Sequence, residues 1–157
     1  MALHLQKAHL MTEAIKKIVV PVDGSEHSVR AARIASEMAT RLRVPLTLFH
    51  VFPLESYEII GLSRLSREDI DRMESSSAER IVDGIRKELG DSLPADTNVE
   101  SVMGDPAEEI IRLAGDDMST LLIMGRRGLT RIKTLMLGSV SDKVLRHTHS
   151  PVLVLSA

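Results

Sequence analysis

The sequence predicts a single α/β domain on a doubly wound, five-stranded, mostly parallel sheet with helices on both faces. Three observations carry this. Short aliphatic runs alternate with longer stretches whose apolar residues recur at three- and four-residue steps, the signature of βα units. Several runs are apolar at consecutive positions, as strands covered on both faces must be. The 157 residues are enough for one domain with a full core.

Residues 1–14 precede the pattern and show no strong period; Met1 to Met11 carries His4, Lys7 and His9 in place of a signal-peptide core. They read as an N-terminal extension without chemistry, and 15–157 as the domain. Ile18-Val19-Val20-Pro21-Val22 is the first strand, ending at Asp23-Gly24. From Ser28 to Leu42, the residues Val29, Ala32, Ala35, Met38, Ala39 and Leu42 line one helical face. Pro45 to Phe52 is the second strand, stopped by Pro53, and Leu54 to Leu65 is expected to be a mobile connection.

Ser66 and Asp69 have capping-box spacing at the head of a long helix to Leu89, with Ile70, Met73, Ile81, Ile85 and Leu89 on its inner face. Asn98 to Met103 alternates polar and apolar, the habit of an edge strand with one wet face. Asp105 as N-cap, Pro106 in the first turn and Glu108 completing a box start a helix to about Asp117 that buries Ile110, Ile111 and Ala114. Thr120 to Met124 is the fourth strand, Ser139 to His147 the last helix and Val152 to Leu155 the fifth strand.

Composition narrows the function. A net charge of -2 offers no footprint for nucleic acid or an anionic membrane. With aromatics at 2% and no Trp, base-stacking platforms are lacking. The chain has no Cys, hence no disulfide or thiolate chemistry, which suits a reducing cytoplasm, and no apolar stretch of membrane-spanning length. A soluble cytoplasmic protein is expected.

The chemistry concentrates late in the chain. Leu121 to Met124 runs into Gly125-Arg126-Arg127-Gly128, and nine residues later comes Gly138-Ser139-Val140-Ser141. Strand, glycine loop, helix start is how an α/β protein cradles phosphate: glycine admits an anion to the backbone, and the helix N-terminus favours negative charge. This is no Walker loop, because Ser139-Val140 stands where Lys-Ser/Thr is required, and neither Gly-x-Gly-x-x-Gly nor Gly-x-Ser-x-Gly occurs. A lone Gly-x-x-Gly is also ordinary turn punctuation; the second element, Gly138-Ser139, favours a nucleotide. If the first and fourth strands are central neighbours, Asp23-Gly24-Ser25 faces Gly125 to Gly128 across the switch-point crevice, where such sheets bind ligands.

Asp23 stays open between a ligand contact and plain Asp-Gly turn chemistry. Arg126, Arg131 and Lys133 stay open between phosphate contact and a solvated basic loop. His147-x-His149 reads as surface loop for want of other metal ligands, and His50, inside an apolar strand, as a satisfied structural histidine.

The chain resembles the universal stress protein family, specifically its ATP-binding branch, over nearly all of Lys17 to Leu155. The resemblance rests on the opening Ile18-Val19-Val20-Pro21-Val22-Asp23-Gly24-Ser25, Leu48-Phe49-His50-Val51, the Gly104-to-Ile111 turn and helix, and above all Met124-Gly125-x-x-Gly128-x9-Gly138-Ser139. It implies a Rossmann-like, adenine nucleotide alpha hydrolase-like fold. It also implies adenine held between Pro21, Val22 and Val51 with Met124 nearby, and ribose hydroxyls donating to Asp23. Gly125, Arg127 and Gly128 would flank ribose and phosphates; the N–H groups of Gly138, Ser139 and Val140, with the Ser139 and Ser141 hydroxyls, would hold the phosphate tail. Arg127 departs from the His often found at that position in the family, and arginine pairs with phosphate more strongly than neutral His.

By the same resemblance the protein is expected to bind ATP, with Mg or Mn bridging the phosphates, and to act as a nucleotide-dependent regulatory or stress-response protein with little or no turnover. It is expected to form a homodimer through antiparallel pairing of the Val152 to Leu155 strand, with an unidentified protein partner and neither nucleic acid nor membrane among its ligands. Two other readings remain: a slow ATPase or nucleotidyl-transfer enzyme of the same fold, and a dimeric module that binds no nucleotide. The cradle has no conspicuous general base or carboxylate cluster, which counts against efficient turnover.

Overall fold

The computed structural model describes residues 15–53, 66–115, 117–128 and 137–156. The expected connection Leu54 to Leu65, the extension 1–14, Arg131 and Lys133 lie outside the described residues. Strand β1 (Lys17–Pro21) leads to helix α1 (Glu26–Leu42), β2 (Leu46–Pro53) to α2 (Arg67–Leu89), and β3 (Asn98–Gly104) to α3 (Pro106–Ala114). Then follow β4 (Thr120–Gly125), α4 (Ser139–His147) and β5 (Val152–Leu155).

The strands form one sheet in the order β3-β2-β1-β4-β5, every neighbouring pair parallel. The chain winds outward from β1 to β3, then returns to β4 on the other side of β1, so strand order reverses at the sheet centre. β3 and β5 are the edges, as their sequences suggest. Strand alternation divides the core in two. Ile18, Val20, Leu46, Leu48 and Ile123 pack under α1 and α2, whereas Val19, Phe49, Val51, Leu122 and Met124 pack under α3 and α4. Alanines 31, 32, 35 and 39 make the buried stripe of α1, a thin face that lets this helix lie close on β1 and β4.

Caps set the helix starts. Ser25 accepts the Ser28 N–H and starts α1 earlier than the apolar stripe suggests. Ser66 and Asp69 form the expected reciprocal box on α2. Asp105 accepts the Glu108 N–H, but Glu108 does not complete a box; its carboxylate instead lies 3.0 Å from Lys143 Nζ on α4. The α3 helix ends at Ala114, short of Asp117, because Gly115 takes φ 59 and turns the chain out of the helix. On α2 the buried residues are Ala78, Val82, Ile85 and Leu89, while Ile70 and Met73 are only half-buried.

Candidate functional site

The carboxyl ends of β1, β2 and β4 and the first turns of α3 and α4 enclose a cleft of about 270 Å³. Pro21, Val22 and Asp23 reach it from the end of β1, Val51 from β2, and Met124 and Gly125 from β4. Arg127 and Gly128 reach it from the loop after β4, and Gly138, Ser139, Val140 and Ser141 from the start of α4. The structure therefore gathers these twelve residues, the ones the resemblance assigns to a nucleotide, around one cavity; Arg126 does not line it, and Arg131 and Lys133 lie outside the described residues. Ser28, Phe49, Pro53, Pro106 and Ile110 line it too and were missed. Phe49 and Pro53 share Val51's face by two-residue alternation, a signal that was legible. The helical period of α3 marks Ile110 only as core.

The walls differ in character. Val22, Val51 and Met124 are buried and supply an apolar slot. Asp23 does the turn chemistry and faces the cleft at once: Oδ1 accepts the Ser25 N–H at 2.9 Å, while Oδ2 lies against Gly128. Gly125 is needed for packing, since a Cβ there would meet His27 backbone atoms at 3.0 Å. That contact is the close approach of α1 to the end of β4.

Two expected phosphate donors are otherwise engaged. The Gly138 N–H donates to Arg126 O at 2.8 Å. The buried Ser141 hydroxyl donates to Gly125 O at 2.9 Å, tying the first turn of α4 to the end of β4. The first intrahelical bond at this end runs from Asp142 N–H to Gly138 O, so the amides of Ser139, Val140 and Ser141 precede the helical ladder. No side chain caps this helix, although α1, α2 and α3 are each capped by one.

Charge around the helix starts is organised as well. The Glu108 N–H and then Lys143 hold the Asp105 carboxyl below its usual range, and hydrogen bonding to Glu108 and Asp105 pushes Lys143 up. His50 has both ring nitrogens within hydrogen-bond distance of Val22 O and Ser77 Oγ, as a satisfied core histidine should. His147 is exposed, with Nδ1 2.8 Å from Lys143 O. Among the described residues no three His, Asp or Glu side chains form a metal-binding group.

The family model described as "Universal stress protein family" matches residues 14–156. The chain belongs to the universal stress protein family. Universal stress protein MJ0531 of Methanocaldococcus jannaschii is 30% identical over 140 residues, covering 88% of this chain and 81% of that protein. The solved structure of MJ0577, a universal stress protein of the same organism, is 28% identical with a TM-score of 0.72, covering 92% of this chain and 97% of that one. A universal stress protein of Archaeoglobus fulgidus, solved in complex with dAMP, is 25% identical with a TM-score of 0.53 over 90% of this chain and 98% of that one. This universal stress protein has the five-stranded parallel α/β sheet, and among its described residues no helix is long and apolar enough to cross a membrane.

Proposed function

We propose that this universal stress protein binds ATP in the cleft and acts as a nucleotide-dependent regulatory protein of the stress response with little or no turnover. The observation that carries the reading is Gly138. Its φ of -72 suits any residue, and among the described residues a Cβ there would meet nothing closer than 3.4 Å. The fold itself thus has little need of glycine at this cleft-lining, uncapped helix start. A phosphate brought against the backbone does need it.

In this reading adenine lies against Pro21, Val22, Val51 and Met124, and Asp23 accepts from the ribose hydroxyls. Gly125, Arg127 and Gly128 flank ribose and phosphates. The amides of Ser139, Val140 and Ser141, with the Ser139 hydroxyl, hold the phosphate tail, and Arg127 pairs with it. Mg or Mn would be held by the phosphates, because Asp23 is the one acidic residue lining the cleft among the described residues. With no second carboxylate to position water, turnover is very slow. The dAMP bound by the Archaeoglobus relative supports an adenine nucleotide here.

The same reading includes a cytoplasmic homodimer. β5 is an edge strand whose Val152, Leu153, Val154 and Leu155 are all half-buried, a surface suited to antiparallel pairing with its copy. The test is to identify nucleotide extracted from purified protein and to titrate labelled ATP against GTP, with and without Mg. Selective, saturable ATP binding is expected. Binding of neither, or rapid multiple-turnover hydrolysis abolished by Gly138→Val, would overturn the proposal.

A further inference from the structure

His50 sits in the middle of β2 at 4% exposure, a titratable ring inside a strand covered on both faces. Its Nδ1 lies 3.0 Å from Val22 O, and its Nε2 lies 3.2 Å from Ser77 Oγ on α2. A carbonyl oxygen only accepts, so Nδ1 carries a proton. In the neutral ring Nε2 is then the acceptor, and the Ser77 hydroxyl donates to it.

Val22 O is one end of a peptide unit whose other end is the Asp23 N–H, and that N–H donates to Ser28 Oγ at 3.4 Å. Ser28 is buried to the same 4%, and its own hydroxyl donates to Ser25 O at 2.9 Å. One peptide back, the Val22 N–H donates to Phe49 O at 2.8 Å. The 22–23 peptide plane is therefore gripped at both edges by buried side chains, His50 on the carbonyl and Ser28 on the amide. That plane sets the direction in which Asp23 leaves the backbone toward Gly128.

We infer that His50 is a positioning residue for Asp23: through Val22 O it fixes the peptide that aims the carboxylate into the cleft, and so sets the preference for a nucleotide that carries ribose hydroxyls. This rests on the ATP-site reading above. A histidine that only filled the core would, when replaced, weaken every nucleotide alike. One that aims Asp23 affects the hydroxyl-bearing sugar selectively.

Two measurements on the full chain test this. Nitrogen NMR of the imidazole without nucleotide should show a proton on Nδ1; a ring protonated on Nε2 alone overturns the inference whatever the cleft binds. Affinities for ATP and 2′,3′-dideoxy-ATP are then compared in wild type, His50→Asn and His50→Gln. An Asn amide stands near the Nδ1 position and can donate to Val22 O, whereas a Gln amide stands nearer Nε2 and cannot. Wild type and the Asn variant should prefer ATP by about tenfold, the size of one hydrogen bond to a charged group, and the Gln variant should bring the ratio close to one. A Gln variant that keeps the wild-type ratio, or loses both nucleotides equally, overturns the inference. Wild type that binds neither nucleotide sinks the cleft reading instead, and the tautomer still decides whether His50 holds Val22 O.

Discussion

Asp23 and Gly128 meet across the crevice between β1 and β4 so closely that a Cβ on Gly128 would stand 2.5 Å from Asp23 Oδ2. Any side chain at 128 must push that carboxylate aside or move the loop. Because Asp23 Oδ1 is bonded to the Ser25 N–H, the displacement also strains the turn that begins α1. Gly128→Val should weaken ATP binding at least tenfold, about 1.4 kcal/mol, in a protein that still folds. Titration calorimetry on the folded variant decides, and an unchanged affinity would remove Gly128 from the site.

Gly138 and Gly125 should part company under mutation. At Gly138 the backbone suits any residue and a Cβ meets no described atom closer than 3.4 Å, so Gly138→Val should lower ATP affinity at least tenfold, about 1.4 kcal/mol, at a stability cost of about 1 kcal/mol or less for the poorer N-cap. At Gly125 the obstacle is the His27 backbone, so Gly125→Ala should destabilise the fold by about 1–3 kcal/mol, the usual cost of overpacking. Denaturant unfolding alongside ligand titration separates the two; a stability loss at Gly138 as large as that at Gly125 would contradict the assignment.

The serines of α4 divide similarly. Ser141→Ala removes the donor to Gly125 O inside the protein and should cost stability of about 1–3 kcal/mol for the carbonyl left unpaired. Ser139→Ala should leave stability nearly unchanged and cost about 1 kcal/mol of nucleotide affinity. The reverse pattern would mean that Ser141, and not Ser139, serves the ligand.

Asp117 gives the fold an acid-sensitive joint at the entry to β4. Its carboxylate accepts from the Ser119 hydroxyl at 2.7 Å, the Ser119 N–H at 2.9 Å and the Thr120 hydroxyl at 2.8 Å. Those bonds, the Ser119 pair foremost, lower its pKa from 3.8 to about 2. A depressed folded-state pKa means that the unfolded chain is protonated first, so this stabilisation is complete above about pH 4 and disappears as pH falls through about 2. Asp117→Asn should be less stable than wild type at about pH 5, and the gap should close toward about pH 2. Urea midpoints across that range provide the check, and a gap independent of pH would count against the mechanism.

Pairing through β5 predicts a two-fold homodimer that Val154→Pro disrupts, since proline removes a donor and clashes within the ladder. Light scattering should show the variant shifted to monomer or aggregate. Wild type that stays monomeric over a broad concentration range would rule the dimer out.

Much of this architecture could be read along the chain because caps and punctuation are local. Ser66 with Asp69, Asp105 with Pro106, and Gly138 before Ser139 each mark a helix start that the structure keeps. What escaped depends on partners distant in sequence. The inner face of α2 includes Ala78, whose small side chain adds little to an apolar period, and Glu108 was drawn from its expected box by Lys143, on another helix. The cleft residues were legible as types, but not their commitments. Nothing local shows that the Ser141 hydroxyl is used on Gly125 O, or that Ile110 reaches the cavity from α3.

The β4–β5 ladder sets Gly125 opposite Leu155, and Arg126 joins the two sides of the corner: its N–H donates to Leu155 O at 2.9 Å while its carbonyl receives the Gly138 N–H. Through Arg126 the start of α4 beside the crevice is thus tied to β5, which follows every other described element in the chain. A polypeptide emerging from the ribosome displays Asp23 long before it has a corner to face. In the ATP-site reading, nucleotide capture then reports that β5 is in place on β4, and molecules clipped within β5 lose it.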